Sequence, residues 1–585
     1  MKKTLSPSYS RAEKTIRHEI ASLLKAVLGP DFKTKLVNIE YPPDNQMGDY
    51  SVPCFLLAKK LKQSPQQIAS ELAIKIKPTK IITQVQALGP YLNFVVDKTQ
   101  YHKMVLQQIV KEKEDYGSSK VGKGKKVMIE YFSPNTNKPL TVGHLRNICL
   151  GYSMTEILRF VGYKVITATI YNDRGIALAK TILAYQKWGN KKTPKDLNQK
   201  PDHFVGELYT RYGRELKENP ELEKEAQKVL RQWEDGQKEV KTIWQNLVEW
   251  VLIGYQQTLK ELEIPDFDEK YHESEYYKLG QEIVQEGLKR GVFKKHQEGY
   301  VYADLEKYGL PNKILLRSDG TSLYITQDLY LAELKNKYQL DASIIVSGAE
   351  QDLQFKQLFQ ILKLIDDQKN VEYFHLSHGM MRLPTGRIKS REGLVKGTAA
   401  DDLINDLNDL ALAEIKKREP ELDEKELQSR AKKISLAALK FFILAVDAKN
   451  TMVFDPKKSL AFTGKTGPYL QYVYARINSI FNKAEVKIKN KVDFDLLVAP
   501  EEIALIKILA RFSENVFLAA QTYNPSLIST YLFDLAKAFS GFYEKVPVAK
   551  AEVKLKNARL LLISCVSQVL ANGLNLLGIE TIEKM

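Results

Sequence analysis

Val127-Met-Ile-Glu-Tyr-Phe-Ser-Pro-Asn-Thr-Asn-Lys-Pro-Leu-Thr-Val-Gly-His-Leu-Arg146 is the stretch that decides the fold. It begins as a short apolar run, Val127–Phe132, suited to a buried strand. Prolines and asparagines then break the pattern, and helical spacing runs from about Gly143 to Val161. Lys164–Ile170 follows as a second β-branched run. Strand, turn, helix, strand is the unit of a parallel sheet. A turn that feeds a helix amino terminus at a strand's carboxyl edge gathers free N–H groups and the positive end of the helix dipole. That suits an anionic ligand. Here His144 stands in the first helical turn, Gly143 lets a ligand approach the backbone, and Lys138 adds a cation. An ordinary capped loop needs far fewer specific residues in so short a span.

Outward from this core, Ile344–Gly348 and Val371–Leu376 read as later strands of the same sheet, with an amphipathic helix over Leu353–Leu364 between them. Residues from about 176 to 297 are charged and helical, with a Lys-rich loop at Asn190–Lys200, and read as an insertion between two halves of a nucleotide-binding sheet. Residues 1–118 form a small mixed domain that closes on the strand Tyr91–Val96. The run Gly117–Lys126, small and basic, reads as a flexible linker. From about Ala399 the chain is almost wholly helical. The expectation is a multidomain protein combining α/β and all-α parts. It has a small α+β domain at 1–118, a Rossmann-like parallel-sheet domain at 119–400 and an α-helical bundle at 401–585.

Composition narrows the function classes. A chain of 585 residues with 44% hydrophobic and 27% charged residues has ordinary globular usage, which excludes disordered and fibrous classes. No uninterrupted apolar run is long enough for a membrane helix, and no apolar stretch follows the basic start MKKTLSPSYSRAEK, so no secretory signal is expected. Cys54, Cys149 and Cys565 are scattered, as in a reducing cytoplasm, and no His/Cys/carboxylate group has zinc spacing. The net charge of +16 points to a polyanionic partner.

The turn and its helix resemble the phosphate-binding motif of class I aminoacyl-tRNA synthetases, and Ser133-Pro-Asn-Thr-Asn-Lys-Pro-Leu140 resembles the arginyl members of that class. The chain departs from the family at Thr141, where a histidine is usual; threonine can donate a hydrogen bond but carries no charge. Leu383-Pro-Thr-Gly-Arg-Ile-Lys-Ser-Arg-Glu-Gly393 is similar to the mobile loop that closes over ATP in this class, here in a relaxed form. The resemblance implies ATP, carried with magnesium, as cosubstrate. It gives catalytic roles to Lys138, Thr141, His144, Lys389, Ser390 and Arg391, with Lys138 replacing a lysine absent from the loop. ATP contacts would come from Lys138, Gly143, His144, Lys389 and the adenine-binding segment His378–Met380, through His378 and Met380.

A guanidinium substrate calls for planar acceptors, ideally two carboxylates beside an aromatic ring. Tyr324 and Asp328 lie four apart, on one face if the segment is helical. By resemblance they contact the guanidinium of arginine together with Glu273, while Glu130, Ser133, Asn135 and Gln351 hold the amino-acid head group. Gly89-Pro-Tyr-Leu-Asn93 resembles the family segment that touches the tRNA elbow, through Tyr91 and Asn93. Thr466–Arg476 resembles the start of the anticodon-binding region, through Tyr469, Gln471, Tyr472 and Arg476. The implied activity is arginine–tRNA ligation by a cytoplasmic monomer. A tRNA-binding paralogue without chemistry, or a class I synthetase for another amino acid, would share part of this pattern. Lys138 and His144 count against the first, Asp328 and Glu273 against the second.

Overall fold

The computed structural model describes residues 8–30, 32, 37–365, 371–384, 399–484 and 492–585. Its centre is a five-stranded parallel sheet built from Lys126–Phe132 (β1), Lys164–Tyr171 (β2), Glu269–His272 (β3), Ala342–Gly348 (β4) and Glu372–His378 (β5). The spatial order is β5-β4-β1-β2-β3. The chain therefore winds outward from β1 through β2 to β3, then returns to place β4 on the other side of β1. Between β1 and β4 the winding reverses, and the crevice at their carboxyl ends is where open sheets of this kind bind ligands.

The apolar runs explain the inner strands. β1 is buried from Val127 to Phe132, as a strand covered on both faces must be. The helix Val142–Phe160 lies against it so closely that a Cβ on Gly151 would sit 2.0 Å from the Cβ of Tyr131. Only glycine permits that approach. β3 was not expected: Glu-Lys-Tyr-His, within the stretch read as an insertion, forms the sheet's edge. The insertion proper consists of the helices Ile176–Trp188, Pro201–Glu218, Leu222–Glu234 and Lys238–Glu261.

The amino-terminal part has a three-stranded antiparallel sheet, with Tyr91–Val96 between Tyr50–Pro53 and Ile82–Leu88, under the helices Arg11–Leu28, Pro65–Lys75 and Lys98–Glu112. Its interior is tied by one carboxylate. Glu13 accepts hydrogen bonds from the hydroxyls of Tyr41 (2.9 Å), Tyr50 (2.7 Å) and Tyr101 (3.0 Å). Among the described residues, the chain from Ala400 is mainly helical and carries a two-residue strand, Met452–Val453, which pairs with Met381–Arg382. Its last helix, Val553–Leu576, is long and apolar enough to cross a membrane by composition, but 72% of its apolar window is buried inside the protein.

Gly117–Lys126 is not a flexible linker. A Cβ on Gly117 would lie 2.4 Å from the Phe512 ring, and one on Gly122 would lie 2.2 Å from the Tyr163 ring and 2.5 Å from the Tyr163 backbone nitrogen. Hydrogen bonds from Ser119 N to Phe160 O and from Gly122 N to Val161 O fasten the segment to the end of the Val142–Phe160 helix. The small residues are there for close packing. Gly122→Ala should cost about 1–3 kcal/mol through overpacking. A lowered urea midpoint is the expected result, and an unchanged midpoint would refute the packing argument.

Candidate active site

The carboxyl edge of the sheet gathers the sequence-singled residues from five directions. After β1 come Ser133, Asn135, Lys138, Thr141 and His144. The turn Ala349–Gln351 follows β4, and His378–Met380 follow β5. Glu273 stands directly after β3, and Tyr324 opens the helix Tyr324–Asn336. The loops after β1 and β2 are laced together: Asn172 N donates to Pro134 O and the Asn172 side chain to Ser133 O. The hydroxyl of Tyr255, from the insertion helix Lys238–Glu261, is 2.8 Å from both the Asn135 and the Lys138 carbonyls, so the insertion supports the loop from behind.

Thr141 and His144 cap the helix jointly. The Thr141 N–H donates to His144 Nδ1 at 3.0 Å, and the Thr141 hydroxyl lies 2.9 Å from the same nitrogen. Burial, reinforced by neighbouring Lys138, pushes the His144 pKa down to about 4. His144 is therefore neutral at physiological pH. With Nδ1 accepting, its proton resides on Nε2, which makes it an uncharged donor. Burial also lowers the pKa of Lys138. A poorly solvated ammonium next to a helix amino terminus gains much from an arriving polyphosphate.

His378 is also neutral, its pKa pushed down to about 4 by burial. Its Nδ1 donates to Gly379 O at 2.9 Å, and its Nε2 meets the side chain of Asn147. Arg146, with no exposed surface, donates to the carbonyls of Gly379 (2.7 Å) and Ala448 (3.1 Å). It thereby fixes the segment after β5 against the start of the carboxyl-terminal helices. Lys389, Ser390 and Arg391 lie outside the described residues. Ala399, which follows them, pairs with Thr141, and Ala400 N donates to Leu140 O.

The carboxylates form a second group. Tyr324 and Asp328 share one helix, and Tyr324 is 72% exposed, which excludes a packing role. Asp328 accepts from Gln354 Nε2 at 3.1 Å. Burial, with Glu130 nearby, raises its pKa to about 6. Glu273 is buried and no hydrogen bond from a described residue reaches its carboxylate. Burial, with Asp173 and Asp328 nearby and partly opposed by Arg174, raises its pKa to about 7. Glu130 is already engaged, paired with the buried Lys335 and accepting the Ser133 hydroxyl at 2.9 Å. Gln351 is exposed at the reversal point. Sequence reasoning missed Asp173, Lys335, Gln354 and Tyr255. The first could have been found, because Asn172-Asp-Arg-Gly175 is a polar turn after a β-branched strand, the same signal that marked the turn after β1.

Among the described residues, Asp202, His203 and Asp401 come close enough to hold a metal ion. The Lys200 ammonium already lies among them, 2.8 Å from Asp401 and 3.2 Å from Asp202, so the cluster is an ion-pair knot at the foot of the Ala400–Arg418 helix.

The RNA-facing expectations divide. Tyr91 is exposed and edge-on to Phe55, while Asn93, on the same strand face, is buried under Gly48 with no partner for its amide. In the helical part Arg476 lies 4.8 Å over the Tyr472 ring and 4.9 Å over Tyr543, an aromatic and cationic surface. Gln471 corrects the expectation. It is fully buried, and its amide donates to Lys433 O (3.2 Å) and Glu580 O (2.8 Å), so it braces the bundle and does not face a ligand. Tyr469 is half-buried, its hydroxyl 3.0 Å from Ser540 Oγ.

Comparison with known proteins agrees with this geometry. The family described as tRNA synthetases class I (R), catalytic domain, matches residues 105–455. The arginyl tRNA synthetase N terminal domain matches 12–96, and the DALR anticodon binding domain matches 470–585. A reversing parallel sheet with these matches is that of a class I aminoacyl-tRNA synthetase. Among curated relatives, the arginine–tRNA ligase of Treponema denticola is 43% identical over 94% of this chain and 95% of its own length. That of Borreliella burgdorferi is 39% identical over 94% of each. Among solved structures, Thermus thermophilus arginyl-tRNA synthetase superposes with a TM-score of 0.78 at 26% identity, covering 98% of this chain and all of that one. The Plasmodium falciparum enzyme, at 19% identity and the same TM-score, shares the fold. The chain belongs to the arginine–tRNA ligase family.

The raised carboxylates give a pH test. A group whose pKa is raised stays protonated to higher pH, and a protonated Glu273 cannot pair with a guanidinium. Apparent affinity for arginine should therefore fall as pH drops through about 7. With one unit of pH below the pKa removing about nine-tenths of the charged form, the loss by pH 6 should be about tenfold. Glu273→Gln should reduce the fall by pH 6 to the about twofold contribution of Asp328, whose pKa is about 6. A KM for arginine constant between pH 6 and 8 would refute the assignment.

Proposed function

We propose that the chain activates L-arginine with ATP, giving arginyl-adenylate and pyrophosphate, and transfers the arginyl group to the 3′ end of tRNA(Arg), releasing AMP. The observation that carries this reading is the pairing, at one edge of the sheet, of two raised carboxylates with a neutral histidine and a desolvated lysine at a helix amino terminus. The first subsite suits a guanidinium, the second a triphosphate. Catalysis is positioning plus charge stabilisation, without a covalent enzyme intermediate.

Lys138 and the Nε2–H of His144 meet the phosphates, and Thr141 orients His144. By the family resemblance, Lys389, Ser390 and Arg391 also act on the phosphates. Gly143, open on its outer side, leaves room for the nucleotide, whose adenine lies near His378 and Met380. Magnesium arrives with ATP. Tyr324, Asp328 and Glu273 receive the guanidinium, while Ser133, Asn135 and Gln351 face the head group, with Glu130 holding Ser133 and Lys335 in place. Residues 119–400 form the catalytic domain, with the helical insertion at 176–261. Residues 1–118 reach the tRNA elbow through Tyr91, with Asn93 beneath. Residues 401–585 reach the anticodon through Tyr472 and Arg476, with Tyr469 alongside. The enzyme works in the cytoplasm as a monomer, away from membranes.

Arginine-dependent ATP–pyrophosphate exchange, measured with and without tRNA(Arg), tests the reading. No exchange under either condition would leave only an RNA-binding role, and exchange driven by another amino acid would remove the arginine assignment. Lys138→Ala should lower exchange by about 100-fold or more, as expected for loss of a preorganised charge, while tRNA affinity stays within about twofold. Full activity in that variant would refute the role of Lys138.

A further inference from the structure

We propose that Asp173 is the positioning residue for arginine recognition, holding His272 by its imidazole and Ser274 by its backbone and hydroxyl so that the Glu273 carboxylate between them faces the substrate guanidinium. The inference rests on the reading of Glu273 as a guanidinium acceptor. Asp173 closes the carboxyl end of β2 and is 1% exposed. One carboxylate oxygen accepts the Ser274 N–H at 2.8 Å. The other accepts the Ser274 hydroxyl at 2.8 Å and lies 3.0 Å from His272 Nδ1. The residues before and after Glu273 are thus both fastened to one buried side chain, while the Glu273 carboxylate has no hydrogen bond of its own among the described residues. Its direction is set by its backbone, which Asp173 fastens at the Ser274 N–H and flanks at the His272 imidazole.

Asp173 is itself braced. Its carbonyl accepts the Trp244 indole N–H at 2.6 Å, from the insertion helix that also supports the loop after β1. The neighbouring Arg174 guanidinium stacks 3.8 Å over the Tyr277 ring and pairs with Glu234 at 2.7 Å, closing the other end of the short helix Glu273–Tyr276. Such a frame has a function beyond stability. A carboxylate misplaced by an ångström forfeits a bidentate contact with a planar cation.

The test is a double-mutant cycle on KM values in exchange with tRNA(Arg) present. Asp173→Asn keeps the volume but replaces one acceptor oxygen with a donor, so it should raise KM for arginine about tenfold while KM for ATP stays within about twofold. Ser274→Ala, which removes only one of the three contacts, should give a smaller rise in the same direction and serves if Asp173→Asn does not fold. In a Glu273→Gln background either change should add little, because the group being positioned is already altered. Equal rises in KM for arginine and ATP, or effects that simply add to that of Glu273→Gln, would show a general structural role and overturn the proposal. If Glu273→Gln alone leaves KM for arginine unchanged, it is the reading of Glu273 that fails, separately from Asp173.

Discussion

A guanidinium cut off from solvent holds the centre of this molecule. Arg146 sits in the helix behind the phosphate-facing turn, yet its hydrogen bonds go to the backbone beyond β5 and to the bend before the strand Met452–Val453. Burial lowers its pKa to about 10, so the charge persists at neutral pH and must be solvated by protein. Backbone carbonyls do that here. A charge neutralised by dipoles in place of a carboxylate enforces geometry, because every carbonyl must point at it. The segment after β5, the capped helix and the root of the helical region are therefore fixed together.

Much of the fold was legible because its inner strands are covered on both faces. Val127–Phe132, Lys164–Ile170 and Ile344–Gly348 are apolar or β-branched for that reason, and all three lie in the sheet. β3 was hidden because an edge strand pairs on one side only and tolerates Glu, Lys and His. Its single neighbour, β2, is contacted through backbone bonds that leave no trace in side-chain pattern. Gly117–Lys126 misled in the opposite way. Small residues signal either freedom or close packing, and only the partners, Phe512 and Tyr163, distinguish the two.

The site divides along the same line. His144, Lys138, Asp328 and Glu273 were legible because each stands in a local motif. Asp173, Gln354, Lys335 and Tyr255 act on other protein groups across gaps of 26 to more than 200 residues. No local spacing reports such pairs. Thr141 lies between the categories. As a departure from the usual histidine it looked like a loss, but its backbone and hydroxyl orient His144, and a neutral partner suits a histidine that is itself uncharged. Gln471 shows the reverse error: a polar residue amid tyrosines on a helix looked outward and instead closes the bundle.

The insertion helix Lys238–Glu261 acts as a ruler. Trp244 and Tyr255 are eleven residues apart, three turns of helix, so they project from nearly the same side about 16 Å from each other. One fastens the turn after β2 beneath Glu273, the other the loop that carries Lys138. The distance between these two loops is thus written in helical pitch. One residue added or removed between them would swing one contact away by about 100°. The length of this span is therefore a structural constraint that its exposed side chains do not share.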